Sequence, residues 1–336
     1  MKKHSLKKMA LEAVPDMIHM HALRSSMAVL EVAKAARGAG AENHPTLSKY
    51  LALRLTQSAT VLALGEKDGP HFDKVCAALV GPMLDEIDFD GDDEEAMKRG
   101  EGIAGRMLTG AVSTFAELLP IYIHEHSHAA VGRSFGYAPT VHVQAGIEEI
   151  NVEGKGTGLA VRVEGGSCRH ATDEPIPNNH KAAISAAGLM GELSIPAYVR
   201  LLGDDDPEAA EAGGVMFRDA QFWGDMFGAA FDKAGKDGTP PSDAFQQSFG
   251  AESDAQDLYA TAPTKPERSA AIKAAGKVLH AEAQAIFDKA LADTLSHLTV
   301  LGVALKLRAL AHVLSDAACN GDFAADRIAG MFGVRA

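Results

Sequence analysis

The chain is poor in cysteine, in basic charge and in unbroken apolar runs, and each shortage excludes a class of protein. Only Cys76, Cys168 and Cys319 occur in 336 residues. They are widely spaced, odd in number and without a Cys-x-x-Cys pair, which predicts reduced thiols in a cytoplasmic protein rather than a disulfide scaffold. Lysine and arginine number 32 against 45 acidic residues, a formal charge of −13. No basic stripe offsets that balance, so a nucleic-acid partner is disfavoured. The sequence Leu298 to Leu314 is interrupted by Lys306 and Arg308, so no membrane span is expected there. Met1-Lys2-Lys3-His4-Ser5-Leu6-Lys7-Lys8 begins like a signal peptide, but Glu12, Pro15 and Asp16 break the apolar core that export needs. No G-x-x-x-x-G-K-[ST] occurs, which excludes a P-loop nucleotide site.

What is present is mostly helix. Residues 5–35 and 46–64 are rich in Ala, Leu, Met and Lys with apolar spacings of three and four, the pattern of amphipathic helices. The acidic run Asp85 to Glu95, followed by Arg99-Gly100-Glu101-Gly102, reads as a solvated linker. It lacks the D-x-D-x-D-G order and closing glutamate of a calcium loop. A boundary placed there divides a helical region, 1–105, from a domain at 106–336. Within the second part, Thr140–Val143, Glu149–Val152 and Gly158–Val163 read as short strands separated by glycine-bearing turns. Helix is expected to return over Lys181 to Leu201, and again over 268–315 as a hairpin or bundle. Between them, 200–249 is acidic and rich in glycine and looks inserted. Its Phe222-Trp223 and Phe227 read as local core rather than a ligand cage.

The chemistry sits in Pro120-Ile121-Tyr122-Ile123-His124-Glu125-His126-Ser127-His128-Ala129-Ala130, which contains H-E-x-x-H. On a helix, His124 and His128 lie one turn apart on one face and can reach a single ion. Glu125 falls beside that ion, where it can act as general base. Pro120 suits a first helical turn, and Gly132 or Gly136 a helix end. His126, two residues along, faces the other way. A catalytic zinc takes a third protein ligand, and two carboxylates compete for that place: Asp254 in Phe249–Asp257, and Glu192, set in the otherwise apolar Ala187–Leu193. His19 and His21 are too close in sequence to share an ion on a helix, and Cys168, His170 and His180 lack a tight pair or a fourth ligand.

His124–Arg133 followed by Val141-His142-Val143 resembles the opening of the peptidase domain of FtsH-type ATP-dependent zinc metalloproteases. Ala187-Gly188-Leu189-Met190-Gly191-Glu192 is similar to that family's Gly-Gly-Arg-Ala-Ala-Glu helix, and Gly250-Ala251-Glu252-Ser253-Asp254 to its G-A-x-x-D segment. Glu282 through Ile328 resembles its closing helices. The resemblance implies His124, His128 and Asp254 as zinc ligands, Glu125 as general base, and Glu192 as a carboxylate that orients a ligand histidine. The ATPase module is absent, Ser127 replaces the usual glycine, and His128 and Asp254 stand further apart than the family pattern.

These readings converge on a mainly α (α+β) fold: a helical zinc-metallopeptidase domain with a small sheet beside the H-E-x-x-H helix. The expected activity is zinc-dependent, ATP-independent endopeptidase hydrolysis of protein or peptide substrates, with one catalytic zinc ion. A homo-oligomer or a separate ATPase partner is compatible with it. The alternatives are a non-catalytic peptide-binding or regulatory descendant of the fold, and a zinc hydrolase of small amides.

Overall fold

The computed structural model describes residues 3–38, 45–67, 69–80, 88–90, 94–152, 156–203, 214–231 and 252–320. Strand β1 (Lys3–Ser5) leads into helix α1 (Leu6–Gly38), followed by α2 (Pro45–Leu64), α3 (Phe72–Val80) and strand β2 (Asp88–Asp90). Helix α4 (Glu94–Ser134) carries H-E-x-x-H and feeds the hairpin β3 (Ala138–Val152) and β4 (Gly156–Ala171). Then come α5 (Asn178–Gly203), a helical turn α6 over 214–218, α7 (Ala220–Phe231), α8 (Glu252–Thr261) and α9 (Lys265–Asn320). The fold is mainly helical with small antiparallel sheets, as the composition and periodicity predict.

Helices α4, α5 and α9 pack on one another at the centre, with α1 against α4, and α2 and α8 against α5. Their contact faces are apolar: Val112, Phe115, Leu118 and Ile123 of α4 and Leu189, Met190 and Leu193 of α5 are almost fully buried. That burial explains why Pro120 lies inside α4 instead of at its start. An interior proline costs about 3 kcal/mol, whereas each large apolar side chain buried beside it returns roughly 1.5–3 kcal/mol. The same helix runs through Arg99–Gly102, the expected linker. Glycine weakens a helix by only about 1 kcal/mol per residue, less than the packing of the rest of α4 supplies.

Helix α4 ends where glycine permits it. Gly136 has φ +88°, Gly136 N–H donates to the Arg133 carbonyl at 2.9 Å, and Tyr137 N–H donates to Gly132 at 3.2 Å, a Schellman cap. The hairpin beyond is longer than its sequence suggests. Thr140–Val143 and Glu149–Val152 belong to the one strand β3, paired with β4 from Ala138↔Ala171 to Val152↔Gly156. The glycine-bearing stretch between them is a β-bulge, where Gln144 pairs with Gly165 but Ala145 with Val163.

Helix α9 is one continuous helix, not a hairpin. It opens with a capping box, in which Glu267 accepts from Thr264 N–H at 2.9 Å and Thr264 Oγ1 accepts from Glu267 N–H at 3.4 Å. Nothing after it breaks the helix, since Gly276 and Gly302 are tolerated inside. Among the described residues, two helices are long and apolar enough to cross a membrane by length and composition. The window in Asn178–Val199 is 78% buried, as in a core helix, and that in Lys265–Arg308 is 33% buried. Trp223 is core, its Nε1–H donating to the Met216 carbonyl at 2.8 Å. The acidic run near 85–95 and the insertion 200–249 lie largely outside the described residues.

Candidate metal centre

Helix α4 presents His124 and His128 to Glu192 of α5 and to Asp254 of α8, which itself packs on α5. The imidazoles meet edge to face, centroids 4.8 Å apart. Their outer nitrogens are fixed from behind. His128 Nδ1 lies 2.6 Å from the carbonyl oxygen of Ile184, which can only accept, so the proton sits on Nδ1. His124 Nδ1 lies 3.2 Å from Glu192 Oε2 and donates to it in the same way. Both Nε2 atoms therefore turn a lone pair inward, the second-partner arrangement by which ligand histidines are held.

Asp254, near the start of α8, completes the group. Its Oδ2 lies 3.1 Å from His124 Nε2 and 3.3 Å from His128 Nε2. These are ion-pair distances without hydrogen-bond angles, and Asp254 Oδ2 is buried with no hydrogen-bond donor. Three lone-pair atoms facing one another repel unless a positive charge lies among them. His124, His128 and Asp254 form the group that could hold a metal ion, with ligand atoms all within 4.8 Å of one another. The space exists because residue 188 is glycine: a Cβ there would lie within 2.7 Å of His124 Nε2, His128 Nε2 and Asp254 Oδ2 together.

The electrostatics agree. Burial alone would push the His124 imidazole down, but the facing Asp254 and Glu192 carboxylates outweigh it and raise it well above the ordinary range, so a proton on His124 Nε2 and a metal ion compete for the same place. Burial pushes the Asp254 carboxyl up, and the His128 and His124 imidazoles overcome that and hold it low. The centre favours a positive charge at its middle. Glu125 faces the same cleft without a hydrogen bond to any described residue, and burial raises its carboxyl against the pull of His128 and His124.

The cleft has a volume of about 660 Å3 and is walled on one side by Gly165, Gly166, Ser167 and Cys168 of β4. Strand β3 pairs with β4 along one edge, and the β4 face that carries Gly166 is turned to Glu125 and the cleft. Gly166 makes that approach possible, because a Cβ there would come within 2.6 Å of Glu125 Cγ. Cys168 and His170 follow on the same strand face, with period two. Burial and the Glu125 charge push the Cys168 thiol up to about 12. Cys168 Sγ is 3.8 Å from His170 Nε2, whereas His180 bonds Tyr137 at 2.7 Å and stacks on Phe135. These three make no joint metal group among the described residues.

Of the two competing carboxylates, Asp254 faces the histidine lone pairs and Glu192 stands behind His124. His126 points away, as its position in the helix requires, and pairs with Asp293 of α9 at 2.8 Å. Sequence reasoning missed the support that Glu192 itself receives. Arg54 Nη1 lies 2.8 Å from Glu192 Oε1, and Gln57 Nε2 donates to the Glu192 carbonyl at 2.6 Å, both from α2. No local signal singled them out, since Arg54 and Gln57 are two of several polar residues in α2. Comparison with family profiles, with characterised proteins and with solved structures returns no match.

Proposed function

We propose that this chain is a zinc-dependent endopeptidase, similar in its centre to the peptidase domain of FtsH-type metalloproteases but without their ATPase module. One observation carries the reading: two histidine nitrogens and a buried aspartate oxygen without a donor converge on one point, with Glu125 beside them. Zinc suits this nitrogen-rich donor set, and when bound it supplies Lewis-acid polarisation of a carbonyl and a water acidified toward neutrality. His124, His128 and Asp254 would hold the ion, and Glu192 and the Ile184 carbonyl keep the imidazoles aimed. Glu125 takes the proton of the attacking water and returns it to the leaving amine. Its raised carboxyl suits both halves of that exchange.

The β4 edge supports a peptide as the substrate. An extended chain can add to it through main-chain hydrogen bonds, which places a scissile carbonyl against the centre without selecting side chains. Among the described residues β4 pairs only with β3, so its second edge has no strand partner. The absence of a nucleotide site supports unfolded or flexible substrates, because nothing in the chain couples ATP to unfolding. The test is metal content of the purified protein together with cleavage of casein before and after chelation. The proposal predicts one zinc per chain and cleavage that stops with chelator and returns with zinc. Bound zinc without cleavage overturns the peptidase reading and leaves a peptide-binding module.

A further inference from the structure

We propose a second binding site, for a small phosphate-bearing anion, in the basic cleft between α6 and α9. The cleft has a volume of about 440 Å3 and is lined by Arg218, Lys273, Gly276, Lys277 and His280, within the size range of small-ligand pockets. Lys273, Lys277 and His280 recur at positions i, i+4 and i+7 of α9 and so share one face. Arg218 reaches them from α6, and glycine sets that approach. A Cβ at Gly276 would collide with the carbonyl oxygen of Phe217, and one at Gly214 would lie 2.8 Å from His280 Nε2. The His280 ring is fixed by Phe217, stacked at 5.6 Å, and by Tyr198, edge-on at 5.1 Å.

With a net charge of −13, cations have carboxylates to pair with, and Lys49, Arg133, Arg162 and Lys289 do so. Arg218, Lys273 and Lys277 make no ion pair with any described residue. Three exposed cations therefore line one cleft, a surface that a multiply charged anion suits. A planar guanidinium fork with two ammonium groups suits phosphate oxygens. Burial and the Arg218 charge push the His280 imidazole down, which leaves it able to donate from one nitrogen and accept at the other. The site stands apart from the metal centre and does not depend on the peptidase reading.

The experiment is calorimetric titration of the full chain with inorganic pyrophosphate at low salt. The expected result is saturable binding that weakens about tenfold or more in R218A/K277A, while the charge-matched K67A/K74A variant binds like the parent. Thermal melting of each variant checks that it is folded. Absence of saturable binding overturns the site, as does equal weakening in both double variants. Binding gained only in D204N/D205N/D206N also overturns it, because the cations would then serve the chain's own acidic run.

Discussion

Arg54 and Glu192 form a buried ion pair, Nη1 to Oε1 at 2.8 Å, with side chains 19% and 14% exposed. The other carboxylate oxygen of Glu192 holds His124, so α2 bears, through α5, on the orientation of a candidate metal ligand on α4. The Arg54 charge holds the Glu192 carboxyl low despite its burial. The R54M variant therefore leaves a carboxylate buried without its cation, which destabilises by about 3–5 kcal/mol. It also frees His124 to rotate, and zinc affinity should fall about 10–100-fold. Chelator competition measures the second effect and thermal melting the first. R54M/E192Q should recover most of the stability but not the affinity. Unchanged zinc affinity in R54M contradicts the relay.

Gly188 should be irreplaceable for metal and dispensable for folding. The methyl of G188A would occupy the space between His124, His128 and Asp254, on the cleft side of α5 rather than in its packed face. Metal content should drop to near zero while the protein still folds, since the roughly 1 kcal/mol by which alanine favours helix over glycine offsets part of the cost of shifting the crowded side chains. Full zinc occupancy in G188A would place the ion elsewhere.

Cys168 and Cys76 should resist alkylation in the native protein. Burial, chiefly, pushes their thiols up to about 12 and about 11. At pH 8 a thiol near 12 is thiolate to only ~10⁻⁴, against roughly a quarter for a free cysteine. Peptide mapping after brief iodoacetamide treatment should show both unmodified until the protein is denatured. Rapid native modification of Cys168 would show that the β4 wall is open to solvent.

Asp219 caps α7, accepting from Phe222 N–H at 2.9 Å and pairing with Lys49 at 2.7 Å. Partial burial pushes its carboxyl up, but Lys49 and the capping amides outweigh that and hold it below the ordinary range. A depressed carboxyl stabilises the fold above the unfolded-state value and loses that contribution as pH falls through the folded one. D219A should cost about 1 kcal/mol at pH 7. The difference from the parent should shrink as pH drops below about 4. A constant difference from pH 7 to pH 3 would contradict this linkage.

Local patterns made the helical class and the centre legible. H-E-x-x-H needs only the helical repeat to bring His124 and His128 together, and Asp254 and Glu192 were the two carboxylates set in apolar or motif-like surroundings. Choosing between them by chemistry was impossible, because both end within reach of His124, one at each ring nitrogen. Arg54 was hidden for a different reason: its partner lies 138 residues away, and no local period encodes such a pair. The boundaries failed where glycine was read as a break. Gly100 and Gly102 sit inside α4, and the glycine-bearing stretch of β3 is a bulge, because packing and cross-strand pairing outweigh local propensity. Gly188 was quoted as part of a motif, but its role depends on atoms from two other helices.

The central claim is that Glu125 works beside a metal held by His124, His128 and Asp254. Glu125→Gln keeps the size of the side chain and removes its basicity. Casein hydrolysis and zinc stoichiometry, measured on the same preparations of parent and variant, test it directly. The account predicts equal zinc in both and hydrolysis reduced by about 10²–10⁴-fold in the variant. Undiminished cleavage by the zinc-loaded variant would contradict it.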